Sequence, residues 1–471
     1  MWFTGLYWAL VQYGVTIQNT TEMYPNWVAT PLTTKNCITL FNYTNVPEFI
    51  AREHPTLKLE RVGPFCFREQ PLKENIEFKS GGVVEYDDSR TLKFWPEESR
   101  GNLNDTITVP NIALLSTITL SNDFMPYLQN LILSFIPKDA KSHNPFLTMP
   151  ISDFIFGWED QVHNAVSSAG SAVGFHLPFK QSGVIPWMKG FLKVRMTAET
   201  GTRNTQKIGR LTMINGQPKL RLGGPRECNQ LKGSDGIYFP PNDVRKGQPV
   251  HFYYVLLCRS LKLTKSKDVE LQHGLMIPRY VMSESQLAAP AKNPENICHC
   301  REKTGYCYNT TDGLAPYDLK PCLGIPLLMT SPNMSLYNAN LLSHLEGIEM
   351  NETDHSDYST FFDIVPNVGI TVRYMQNVQI NLRVRASKLF ETVLPLSNDR
   401  MLPMYSFRRT GDDLPEVNFK QMYRVQVTAA EGEFMFKWLF LSIAFLSGVL
   451  SAFLISRSRI AKKAETKFAL K

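Results

Sequence analysis

VQINLRVR, residues 378–385, alternates without a break: Val378, Ile380, Leu382 and Val384 fall on one face, and Gln379, Asn381, Arg383 and Arg385 on the other. Successive strand side chains point to opposite faces, so this period of two reads as a β-strand with one apolar and one polar face. The same β-branched and aromatic enrichment recurs in KNCITLFNY (35–43), GGVVEY (81–86), FLKVRMTA (191–198), PVHFYYVLL (249–257) and VGITVRYM (368–375), bounded by Gly, Pro and Asn. Strands that follow one another without intervening helices favour an antiparallel sheet or barrel over parallel βαβ units.

One region departs from this rhythm. From about 110 to 169 the pattern turns helical. Phe124, Leu128, Leu131 and Phe135 share one helix face, and Pro137 ends the run. DFIFGWEDQVHNAV (153–166) reads as a second helix capped by Asp153. A helical cap on a β body is the expectation.

The C-terminus decides the compartment. WLFLSIAFLSGVLSAFLI (438–455) carries no charge, and with Phe434–Phe436 it is long enough to cross a hydrocarbon core of roughly 30 Å. Basic residues follow at once: Arg457, Arg459, Lys462, Lys463, Lys467 and Lys471 against Glu465 alone, the signature of a cytosolic flank. Most of the formal charge of +7 lies in this tail. The body is near neutral, which argues against nucleic acid as a partner. The expected organisation is an apolar N-terminal segment (1–18), an ectodomain (19–433), a transmembrane helix (434–456) and a basic cytosolic tail (457–471). Sequons at Asn19, Asn42, Asn104, Asn309, Asn333 and Asn351 agree with an ectodomain that is glycosylated outside the cell.

An oxidising compartment settles how ENICHCREKTGYCYN (295–309) is read. Six cysteines lie between Cys228 and Cys322, including Cys298, Cys300 and Cys307. A zinc site needs a second ligand pair at matched spacing, and His299 has no partner histidine nearby. Disulfides are expected and a metal is not, although six cysteines permit fifteen pairings by counting alone. Cys37 and Cys66 stand apart, as a cross-strand pair or as buried thiols. Nucleophile-elbow, zincin, Walker and dinucleotide motifs are missing, so neither an enzyme nor a cofactor is expected.

NWV (26–28), RVGPFCFRE (61–69), FGWED (156–160), KGSDGIYFPP (232–241), LCRSL (257–261), ENICHC (295–300) and FFDIVPNVGI (361–370) precede VQINLRV in an order and spacing that resemble the class B scavenger receptor family. The likeness runs from about Gln12 to the anchor. It implies an α+β membrane-anchored ectodomain: an antiparallel β-barrel with a helical apex, an internal hydrophobic tunnel and a C-terminal transmembrane helix. It also implies the pairing Cys228–Cys298, Cys258–Cys322 and Cys300–Cys307, within the segment 228–322. The implied function is a plasma-membrane receptor that binds fatty acids, sterols, phospholipids or lipoprotein particles, passing lipid towards the membrane. Lys138, with Lys141 nearby, aligns with the family's basic ligand contact at the apex. The alternative is a trafficking receptor that binds a protein cargo at the apex, in a lysosomal or endosomal membrane. Family members carry an N-terminal anchor, whereas only about eleven residues precede Gln12 here; this suggests a truncated sequence or a form with one anchor.

Overall fold

The computed structural model describes residues 13–124, 134, 136–137, 139, 143–172, 181–184, 193–220, 222, 226–290, 292–299, 316–332, 343–347, 360–385, 395, 400–412 and 414–469. Its strands are β1 (Thr33–Tyr43), β2 (Leu57–Lys79), β3 (Val83–Phe94), β4 (Thr106–Pro110), β5 (Phe146–Pro150), β6 (Val194–Glu199), β7 (Leu211–Ile214) and β8 (Val250–Tyr254). They continue with β9 (Arg259–Glu270), β10 (Met276–Met282), β11 (Tyr317–Asp318), β12 (Leu327–Thr330), β13 (Leu345–Glu346), β14 (Phe361–Val365), β15 (Ile370–Val384) and β16 (Arg400–Asp412).

The stretch 378–385 lies in β15, which is paired along its length. β16 runs antiparallel on one side, while β14 and then β12 cover the other. The alternation holds, but both faces are covered. Gln379, Asn381 and Arg383 are as buried as Val378 and Leu382. Buried amides need partners, and the Gln379 amide donates to Asn381 Oδ1 at 2.8 Å while Asn381 donates to Thr330 Oγ1 at 3.0 Å.

The main sheet runs β7-β6-β3-β2-β1-β16-β15-β14-β10-β9-β8, and its path pairings are antiparallel. Its two ends are joined by the segment around Gly233. Leu211 of β7 donates its N–H to Gly233 O at 2.8 Å, while Ser234 exchanges backbone bonds with His251 and Tyr253 around β8 at 3.0 and 2.7 Å. The sheet therefore closes into a barrel, the architecture that leaves no open edge. Gly233 has φ of +85°, and a Cβ there would lie 1.9 Å from His251 O, so only glycine fits this seam.

Cys37 and Cys66 face each other across β1 and β2 and form a disulfide, as do Cys228–Cys298 and Cys258–Cys322. Closing loops of 70 and 64 residues stabilises by about 4 kcal/mol each in the chain-entropy model. Cys300 and Cys307 lie outside the described residues.

The helical region is interrupted, contrary to expectation. β5 returns antiparallel to β4, and the helix Ile112–Phe124 leaves from between them. Asn111 fixes this junction. Its Oδ1 accepts from Leu114 N at 3.2 Å, capping the helix, and its amide donates to Asn144 O at 2.9 Å. Leu128, Leu131 and Phe135 lie outside the described residues. The stretch 153–166 is two helices, Ile151–Phe156 and Gln161–Ala172, broken at Gly157 with φ of +104°. The cap is Asp160 and not Asp153: Asp160 Oδ1 accepts from Val162 N and His163 N at 2.9 and 3.2 Å.

At the opposite end the chain leaves through the helix Glu416–Tyr423, a π-helical turn at Arg424–Thr428 and the helix Ala429–Ala469. Phe434–Ile460 is 27 residues long, apolar and uncovered, enough to cross a membrane. Its foot is held to the barrel. Phe419 and Met422 pack with Val365, Val368 and Val372, and Asn418 donates to Asn26 Oδ1 at 2.9 Å.

Candidate functional site

Lys138 and Lys141 lie outside the described residues. Ile136 is 3% exposed and belongs to the main core, as does Phe146, while Asp139, His143 and Asn144 between them are exposed.

The barrel interior divides into two chemistries along the strands. Towards the cap, Ile38, Leu40, Phe65, Val378, Ile380 and Phe407 point inward. They belong to one apolar cluster with Val109, Leu114, Ile118, Phe154 and Val162 of the cap region. Tyr43 and Phe146 join the two parts, with ring centres 5.0 Å apart. Among the described residues, no polar layer separates barrel from cap along this path. The hydrophobic tunnel expected from the resemblance is not shown by the described residues.

Towards the anchor end the inward residues are charged. Arg409 grips Glu69 with two bonds, at 2.9 and 2.7 Å, and Asn36 donates to the same carboxylate. Arg90 lies 3.6 Å from Glu69 and 2.7 Å from Asp88. Burial alone would raise the Glu69 pKa, but Arg409 and Arg90 outweigh it and hold the group at about 2. Deeper still, Lys73 pairs with Asp235 at 3.2 Å, and Tyr86 donates to the same carboxylate at 2.9 Å. The Lys73 ammonium lies 5.1 Å from the centre of the Trp27 ring. Each cation in this belt faces a carboxylate. As it stands, the belt offers no unmatched charge to an anionic ligand; it stabilises the closed barrel.

The belt also explains two sequence stretches. In KGSDG, Gly233 closes the seam, Ser234 Oγ accepts from Gly236 N at 3.1 Å, and Asp235 binds Lys73. In NWV, Asn26 holds the foot of the anchor helix and Trp27 is buried, edge-on to Tyr86 at 5.0 Å. These positions escaped sequence reasoning as site residues, because their partners lie far along the chain.

His344 responds to acid. It is buried, and its Nε2 donates to Met401 O at 3.0 Å, while Nδ1 has no partner among the described residues. Burial first, and Arg400 to a lesser extent, push the imidazole down to about 4 from 6.5, against the opposing pull of the Met401 carbonyl. A depressed histidine pKa costs stability as pH falls below 6.5, because the unfolded chain takes up the proton more readily. At pH 5 the expected loss relative to pH 7.4 is about 2 kcal/mol. In denaturant titrations at the two pH values, His344→Gln should remove most of that difference; an unchanged difference assigns it elsewhere.

Of the sequon residues, Asn19 and Asn104 are exposed, whereas Asn42 is half-buried and its Oδ1 accepts from Thr108 N at 2.9 Å. Asn309, Asn333 and Asn351 lie outside the described residues.

Comparison with known proteins agrees with this architecture. Sensory neuron membrane protein 2 of Heliothis virescens is 24% identical over 472 residues, covering 95% of this chain and 88% of that protein. Lysosome membrane protein 2 of Homo sapiens is 26% identical, covering 80% of this chain and 74% of its own. Scavenger receptor class B member 1 of Rattus norvegicus is also 26% identical, covering 79% and 70%. The model of the CD36 family matches residues 1–455. Barrel, disulfides and most of the apolar anchor helix fall within that match, and the chain belongs to the CD36 family.

Proposed function

We propose that this chain is a plasma-membrane receptor that binds fatty acids, sterols, phospholipids or lipoprotein particles at its helical cap and passes lipid towards the membrane. The observation that carries this reading is the apolar cluster that runs unbroken from the cap into the barrel. An acyl or sterol body needs such surroundings, and a few polar groups at the mouth fix its orientation. Lys138 and Lys141 supply the cationic mouth, since the interior belt has its charges paired. Glycans at the exposed Asn19 and Asn104 fit an extracellular ectodomain.

The test is charge reversal at the mouth. In the full chain, Lys138→Glu with Lys141→Glu should weaken binding of anionic lipid and of modified lipoprotein at least several-fold, and most at low salt, where exposed charges act over about 10 Å or more. Reversal at the exposed Lys219 should change neither. If both variants bind like the parent, ligand enters elsewhere; equal loss in both reduces the effect to net charge.

A further inference from the structure

The outer wall of the barrel carries a second cationic feature, remote from the cap lysines in sequence. Lys93 of β3, Arg68 of β2 and Lys35 of β1 are in register as direct neighbours. All three point away from the interior, where their chain neighbours Leu92, Glu69 and Asn36 face inward. On the next outward row Arg408 of β16 stands opposite Cys37. Lys35 is paired, with Glu98 at 3.0 Å. Arg68, Lys93 and Arg408 are exposed, and none has a carboxylate partner among the described residues. The Arg68 guanidinium lies 4.2 Å from the centre of the half-buried Trp95 ring.

Like charges set directly across a strand pair destabilise a sheet. Here they are placed on β1 and β2, and the Cys37–Cys66 disulfide ties those two strands at the next outward pair. The staple holds together strands whose facing cations push apart. That arrangement suits a surface kept cationic for a ligand.

We propose that this wall binds a linear sulfated polysaccharide. Four neighbouring strands at about 4.8 Å spacing spread the cations over roughly 15 Å, with Lys93, Arg68 and Lys35 in one row across the strands and Arg408 in the next. Arg68 and Lys93 are direct cross-strand neighbours, within one Debye length of about 8 Å at physiological salt. Arg408 stands two strands and one outward row away, about 12 Å, a spread that suits an extended polyanion better than a compact anion. A protein partner would require an apolar centre to the patch; here the aromatic surface is Trp95, and Arg68 covers it. A lipid leaflet fits less well, because the strands run from the anchor end to the cap and the row lies on the flank between them.

The experiment uses the full chain in nanodiscs of uncharged lipid, with the tail cations from Arg457 to Lys471 replaced by Gln in parent and variants alike. Heparin is the probe. The parent should bind it at 0.15 M NaCl. Arg68→Ser with Lys93→Ser and Arg408→Ser should bind at least about tenfold more weakly and lose about two to three from the slope of log affinity against log salt. The charge-keeping set Arg68→Lys, Lys93→Arg and Arg408→Lys should bind within about threefold of the parent, showing that charge and not folding is read. Lys219→Ser with Lys267→Ser should bind like the parent. Failure of the parent to bind, or equal binding by the triple Ser variant, overturns the proposal. So does a triple Ser variant that keeps heparin but loses vesicles containing phosphatidylserine, which would assign the wall to lipid. Equal affinity of the parent for heparin and polyglutamate would assign it to acidic protein.

Discussion

Gly233→Ala is expected to open the barrel. The new methyl would meet His251 O at 1.9 Å, and a φ of +85° is one that alanine avoids. Backbone strain of this kind costs about 1–3 kcal/mol by itself. The overlap is with a carbonyl and not with a flexible side-chain tip, so relief requires the seam to separate and Ser234 to lose its bonds to β8. The combined loss should exceed about 3 kcal/mol, with poor surface expression as the first sign. Hydrogen exchange on surviving protein should show early loss of protection at Leu211, Ser234 and Tyr253, whose amides bond across the seam. Gly216→Ala is the control: it also has positive φ, but its Cβ would meet nothing within 4 Å. If Gly233→Ala is no worse than Gly216→Ala, the sheet is not closed there.

The second large effect is at Arg409. Replacing it with Met leaves Glu69 buried with only the longer Arg90 contact and the Asn36 amide. Breaking a buried pair on one side costs about 3–5 kcal/mol, whereas replacing both partners by apolar groups is far milder. Arg409→Met should therefore destabilise more than the double variant Arg409→Met with Glu69→Leu. A double variant that loses the sum of both single losses would show that the two groups do not act as a pair. The parent should also carry a pH signature. Glu69 has its pKa lowered to about 2 in the folded chain against 4.5 unfolded, so its contribution is full above pH 4.5 and lost as pH falls through 2. Between pH 6.5 and 4.5 the acid loss belongs to the histidines instead, chiefly His344, with His251 acting in the same direction because burial lowers its pKa too, and the two windows are separable by single variants.

Much of this architecture is legible in the sequence because it is local. Strand periodicity, the uncharged run before a basic tail and the sequons each occupy short windows. What the sequence hides is long-range. The alternation at 378–385 shows two faces but cannot show that Gln379, Asn381 and Arg383 are buried like their apolar neighbours, or that Thr119 of the helix Ile112–Phe124 donates to Arg383 O at 3.3 Å. Glu69 and Arg409 are 340 residues apart, and nothing near either foretells the other. Asp153 and Asp160 are equally good caps by composition, and Gly157 between them decides the break by its backbone freedom. Cys37 and Cys66 read equally well as thiols or as a bridge until the register of β1 on β2 is known. The assignment of Lys138 and Lys141 as ligand contacts rests on the family likeness, since both lie outside the described residues.

The most direct test of the account is to ask what the purified protein carries. The full chain, extracted in a detergent that retains bound lipid, would be washed, denatured and analysed by mass spectrometry beside an unrelated single-anchor glycoprotein prepared identically. Fatty acid, sterol or phospholipid should be enriched over that control at near one or more molecules per chain, and reduced in the Lys138→Glu, Lys141→Glu variant. Lipid content equal to the control, with saturable binding of a protein ligand at the cap, would contradict it.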